Sequence, residues 1–149
     1  LKNKDDIIFE LFGTIDEAQA HIGLLYESIN TEPLKRSTLG KLEVIMIQLY
    51  KVSGSIFTKK DLILPGLSLT IENWIDEMDI SLEPITEFIL PKGSIASSQA
   101  HVARAVVRRL ERLFVHWDSD FQYKEIRIFL NRLSDYLFTL ARYLLKEED

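Results

Sequence analysis

The chain has 149 residues, 46% of them apolar and 28% charged, with a net charge of −5. Length and balance describe one folded domain with a real core and exclude a disordered tract, and the acidic balance argues against a broad nucleic-acid surface while leaving room for a local basic cleft. It has no cysteine, so disulfide scaffolds, thiolate metal sites and thiol nucleophiles are excluded.

No apolar run approaches the roughly 20 residues of a membrane span, and the first residues carry no signal-peptide pattern. The chain does not open on Met, so a processed chain or a fragment is expected. Few Gly and Pro residues and long stretches of helix formers point to an all-α protein of the cytoplasm.

The opening segment LKNKDD is polar, and Asp5 or Asp6 is a candidate helix cap. Apolar residues then fall at Phe9, Phe12, Ile15, Ala18, Ile22, Leu25 and Ile29, in the steps of three and four of an amphipathic helix. Gly13 and Thr14 interrupt it mildly, and Thr14 with Glu17 has capping-box spacing, so the helix has two possible starts. Gly13 and Gly23 mark either close helix approach or plain tolerance of glycine.

Asn30 to Pro33 reads as a loop, with Pro33 opening a second helix. Its core face is Leu39, Leu42, Ile45, Met46, Leu49, Val52 and Ile56, and it ends between Gly54 and Thr58. Residues 58–69 form a connection in which Leu62, Ile63 and Leu64 pack and Pro65-Gly66 stops any helix. Thr70 then caps a short third helix over 71–80, with Trp74, Ile75 and Met78 inward. Residues 81–93 approach the fourth helix and include the strand-like triplet Phe88-Ile89-Leu90, of a type most often found in a core.

The fourth helix is predicted from Ser94 to Trp117. Its apolar face is Ala96, Ala100, Ala103, Val107, Leu110 and Phe114, with Val102 and Val106 alongside. Asp118-Ser119-Asp120 ends it and starts the last helix, over 120–146, with Ile126, Phe129, Leu133, Tyr136, Leu137, Leu140 and Leu144 at helical spacing. No repeat or linker divides the chain. One domain over 1–149, folded as an antiparallel five-helix bundle, is the expected architecture.

Arg104, Arg108 and Arg112 lie four residues apart and share one side of the fourth helix, with Arg109 beside them. This flank is either a solvated face laced with ion pairs, such as Arg108 with Glu111, or an anion site suited to a polyphosphate. Asp16 and Glu17 supply either favourable charge near a helix start or a partner for an arginine or a cation-bound phosphate. His21, His101 and His116 lack metal-ligand spacing, and His101 is either a structural histidine or a base. The run from Asn131 to Tyr136 is polar inside an apolar helix and faces either solvent or a cleft. There is no P-loop, dinucleotide fingerprint, nucleophile elbow or di-iron Glu-x-x-His pair.

Three segments go further. LFGTIDEAQAHIG at 11–23, FILPKGSIASSQAHVARAVVRRLER at 88–112 and NRLSDYLFTLARY at 131–143 occur in order. Together they resemble the PduO-type ATP:cobalamin adenosyltransferases, across almost the whole chain. The resemblance implies a homotrimer of five-helix bundles with active sites between neighbouring subunits. It implies transfer of the 5′-deoxyadenosyl group of ATP, with Mg²⁺, to the cobalt of reduced cobalamin, and release of triphosphate. By the same resemblance, Arg108 contacts the ATP phosphates, Asn131 belongs to the ATP site, and Phe88 closes the lower face of the corrin. Glu111 either contacts ATP or makes a structural ion pair. Arg104 pairs with Asp16 across the subunit interface.

No metal-ligating residue, nucleic acid or membrane partner is implied. A reductase and an adenosylcobalamin-dependent enzyme are the implied protein partners. The family's Gly-rich, phosphate-wrapping segment upstream of the first helix is expected to be absent from this chain. Ser68 stands where a lysine is usual, LPGGS reads LPKGS, and DELNS reads DEAQA. The expectation that competes with turnover is a corrinoid carrier or sensor of the same fold.

Overall fold

The computed structural model describes residues 4–29 and 35–148. They form five helices: α1 (Lys4–Ser28), α2 (Arg36–Thr58), α3 (Leu67–Asp79), α4 (Ile95–Trp117) and α5 (Lys124–Glu148). Consecutive helices alternate in direction. α4 packs between α1 and α5, α2 lies on the far side of α1, and α3 packs on α5. The antiparallel five-helix bundle expected from periodicity is the observed fold.

The core is the apolar stripe of each helix turned inward. On α1 it runs Ile7, Leu11, Ile15, Ala18, Ile22 and Leu25, and it continues to Ile29. Phe9, expected inside, is 76% exposed. It sits two residues from both Ile7 and Leu11, about 200° around the helix from each, so it cannot share their face. The helix starts at Lys4, which places Asp5 and Asp6 in its first turn instead of at the cap. It runs unbroken through Gly13, and a Cβ at Gly13 or Gly23 would meet nothing within 4 Å, so neither marks a close approach among the described residues of the chain. Pro33 lies outside the described residues.

α4 and α5 approach closely because their facing residues are small. Ala96, Ala100, Ala103 and Ala141 are all buried, and Ser97 Oγ donates to the Ala141 carbonyl at 2.8 Å. At the far end of this pair Gly93 takes φ +124°, and a Cβ there would sit 2.5 Å from Leu145 Cδ1. Only glycine fits both the backbone and the space.

Four further boundary or packing expectations need correction. α3 begins at Leu67, not after Thr70. Gly66 at φ +75° turns the chain, Leu67 is buried, and Thr70 is already inside the first turn, its NH bonded to the Gly66 carbonyl. α5 begins at Lys124 because the buried Asp118 carboxylate accepts from the Gln122 and Tyr123 NH groups, at 2.9 and 3.1 Å, and holds 118–123 as a turn. Of Leu62, Ile63 and Leu64, only Ile63 is buried. The triplet Phe88-Ile89-Leu90 is neither strand nor core: Phe88 is 88% and Leu90 55% exposed.

Candidate active site

The arginines of α4 do not act as one stripe. Arg109 reaches sideways to α1 and pairs with Glu17. Arg104 lays its guanidinium over the Phe138 ring of α5, 5.0 Å from the centroid. Burial, together with the nearby charge of Arg108, pulls its pKa below the ordinary arginine value, against an opposing pull from Asp135. Arg108 and Arg112 are exposed, and among the described residues no carboxylate pairs with either. The Arg108–Glu111 ion pair, an example under one of the two readings of this flank, is not made among the described residues. Glu111 is engaged elsewhere: Asn131 Nδ2 donates to its Oε2 at 3.0 Å.

That contact starts a chain of polar groups crossing three helices. Asn131 Oδ1 accepts from Arg132 Nη1 at 2.7 Å, and Arg132 Nε donates to Glu72 on α3. Asn131, Arg132 and Glu111 line a pocket of 350 Å³ on the outer side of the α4–α5 seam, with Lys124 and Arg127 beside them. Of its three cations, Arg132 is paired with Glu72 and Arg127 lies beside Asp118, which leaves Lys124 as the lining charge that can meet an anion. Arg127 is itself fixed. Its Nε lies 3.9 Å from Asp118, and its guanidinium covers the ring of Phe121 at 4.0 Å. Phe121 has φ +57°, a strained backbone for a bulky residue.

The other residues singled out in the sequence are more scattered. Asp16 is exposed on α1 and makes no contact with Arg104 within the chain. Phe88 stands on the loop before α4, uncovered. His101 packs edge-on against Phe138 at 6.0 Å, and burial, then Arg104, holds its pKa below 6.5, which keeps it neutral near pH 7. The polar run of α5 divides: Asn131 and Arg132 face the pocket, Ser134 is buried with its hydroxyl bonded to the Asn131 carbonyl, and Asp135 is exposed.

Glu72 and the role of Arg132 were not legible in the sequence. They stand 60 positions apart, and a single sequence gives no signal that joins them.

A family model described as "Cobalamin adenosyltransferase" matches residues 1–144. The chain belongs to the cobalamin adenosyltransferase family. Among its adenosyltransferase relatives, corrinoid adenosyltransferase MMAB of Bos taurus is 38% identical over 99% of this chain and 65% of its own length. The Homo sapiens protein of that name is 38% identical over 97% and 62%. The chain thus spans less than two thirds of these mammalian relatives. A corrinoid adenosyltransferase of Citrobacter freundii is 32% identical over 94% of this chain and 82% of its own. Among solved structures, a Phe-to-Ala variant of a PduO-type ATP:corrinoid adenosyltransferase from Lactobacillus reuteri, complexed with cobalamin and ATP, superposes with a TM-score of 0.85 at 28% identity. It covers 99% of this chain and 84% of that one. An Arg-to-Lys variant of a PduO-type enzyme from the same organism, complexed with ATP, gives 0.86 at 28% identity, over 99% and 86%.

Proposed function

We propose that the chain transfers the 5′-deoxyadenosyl group of ATP to the cobalt of reduced cobalamin, giving adenosylcobalamin and triphosphate. The observation that carries this reading is Arg108. It is an exposed arginine without a carboxylate partner among the described residues, within electrostatic reach of a second cation, Arg104. Two neighbouring guanidinium groups repel one another, and a polyphosphate between them would relieve that repulsion. Support comes from the relatives, which are corrinoid adenosyltransferases, and from a solved neighbour that holds ATP and cobalamin on this fold.

In this reading the low-valent cobalt of the substrate attacks C5′ of ATP. A Co–C bond forms as the C5′–O5′ bond breaks, and the electron pair leaves with triphosphate. Arg108 neutralises the charge that develops on the leaving group. Asn131 and Glu111 orient the nucleotide from the adjoining pocket. Phe88 closes the lower face of the corrin and keeps water from the metal. No general acid or base is needed, because the metal itself is the nucleophile.

Arg104 and Asp16 of a neighbouring copy would pair across the interface of a homotrimer. Each is left without an ion-pair partner inside the protomer among the described residues. Among those residues no group of three or more His, Asp or Glu side chains is arranged to hold a metal. Mg²⁺ would enter this reading together with ATP, where it would offset phosphate charge, and no step is routed through it. The bundle serves as one adenosyltransferase domain, in the cytoplasm, supplied by a reductase and serving an adenosylcobalamin-dependent enzyme.

The test is to mix the chain with ATP and reduced cobalamin and follow the cobalt absorption spectrum. The expected result is ATP-dependent appearance of the adenosylcobalamin spectrum. Corrinoid binding without that change would assign the chain to the carrier or sensor reading instead.

A further inference from the structure

We propose that Glu72 and Arg132 are positioning residues for the nucleotide pocket, acting through the side-chain amide of Asn131. This rests on the reading of that pocket as an ATP site. Arginine can only donate and an ionised glutamate can only accept. Because Arg132 lies on one side of Asn131 and Glu111 on the other, the amide has a single satisfied orientation: Oδ1 toward Arg132 and Nδ2 toward Glu111. The amide is thereby left with one N–H and one lone pair to offer a ligand, and Glu111 with one oxygen.

What holds Arg132 is Glu72. The Nε edge of the guanidinium is taken by the Glu72 carboxylate while Nη1 serves Asn131. A planar fork can serve two acceptors at once in a fixed geometry, which a lysine cannot do. Arg132 forms the wall between two cavities, the 350 Å³ pocket at Asn131 and a 410 Å³ groove between α3 and α5 that Glu72 also lines. α3 makes its main packing contact with α5, so this short helix braces the wall from behind.

The experiment compares the full chain with Glu72→Gln, Arg132→Lys and Asn131→Ala. Without ligand, the Asn131 side-chain NH₂ resonances are expected to shift in Glu72→Gln and in Arg132→Lys while the melting temperature stays within about 2 °C. Calorimetric titration with ATP should show a loss of about tenfold in affinity for either variant. The KM for the corrinoid should not move. Introducing Glu72→Gln into Asn131→Ala should change ATP affinity by less than about twofold, since the residue it acts through is gone. Unmoved Asn131 resonances, or unchanged ATP affinity in Glu72→Gln, would overturn the proposal. So would a tenfold loss that persists without the Asn131 amide. The unsubstituted chain is titrated first: if it binds no ATP, the nucleotide reading fails on that measurement alone and the positioning role falls with it.

Discussion

The two ends of the α4–α5 pair present opposite surfaces. Around the C-terminal half of α4, polar groups are tied together within the chain: Glu111 to Asn131, Asn131 to Arg132, Arg132 to Glu72, and Arg127 to Asp118. Around its N-terminal end, apolar side chains stand uncovered. Phe88 is 88%, Ile95 75% and Val102 43% exposed. The first region is preorganised by one protomer. The second offers an apolar surface that gains its partner only when something docks, whether a corrin ring or a second copy. A polar site must be held in register before its ligand arrives, because each unsatisfied group costs binding energy. An apolar wall needs shape more than orientation and tolerates waiting in water.

The largest effect should come from breaking the link between the two ends. Arg108 sits one turn from Arg104 and one turn from Arg112, and it has no intrachain ion pair among the described residues. Arg108→Ala is expected to lower the rate of adenosylcobalamin formation by about a hundredfold or more, the scale of losing one charge-stabilising donor. Its melting temperature should match that of the unsubstituted chain. Near-normal turnover in that variant would remove Arg108 from the phosphate role.

Asp118→Ala attacks the polar end through its scaffold. That carboxylate is buried, caps two backbone NH groups at the start of α5, and lies beside Arg127. Losing it leaves those donors unsatisfied, at a cost of about 2–3 kcal/mol in unfolding free energy. Urea denaturation should show it as a lower midpoint at unchanged slope. Phe88→Ala attacks the apolar end and should do the reverse. An exposed side chain contributes little to stability, so the denaturation curve should hardly move, while turnover falls by about tenfold through loss of the wall beside the metal. A stability loss in Phe88→Ala comparable to that of Asp118→Ala would erase the contrast between the ends.

Much of this was legible in the residues, for identifiable reasons. The inward faces of α4 and α5 follow from helical period alone, because both stripes are long and uninterrupted, from Ala96 to Phe114 and from Ile126 to Leu144. Phe9 misled because one apolar residue three positions from another mimics the same period. Thr70 misled because a hydroxyl at the start of an apolar run resembles a cap, whereas the turn is made by Gly66 and the buried anchor is Leu67. The arginine flank was visible as a cluster. Its division into Arg109 toward Glu17, Arg104 toward Phe138, and an Arg108 without a carboxylate partner among the described residues depends on which helices lie on either side of α4. Local spacing does not carry that information. The link from Glu72 through Arg132 to Asn131 lay further still from reach, since it exists only once α3 packs on α5.

The smallest effect belongs to the ion pair between Arg109 and Glu17, and it tests whether the arginine flank stabilises the fold at all. Both side chains are nearly half exposed, at 47% and 42%. Solvent screens such a pair, and ordering two long side chains offsets part of the attraction, so Glu17→Gln should cost less than about 1 kcal/mol. Added salt should shrink even that, because exposed charges are screened within about 8–10 Å at ordinary ionic strength. The measurement is unfolding free energy by urea at low and at high salt for the chain and for Glu17→Gln. A difference that persists at high salt would mean that the α1–α4 pair is shielded, by a neighbouring copy packed over it. Arg109 would then belong to an interface, alongside the Arg104–Asp16 contact proposed across subunits. A difference that vanishes leaves Arg109 as the arginine of the cluster that, among the described residues, has a carboxylate partner within its own chain and is already satisfied in water.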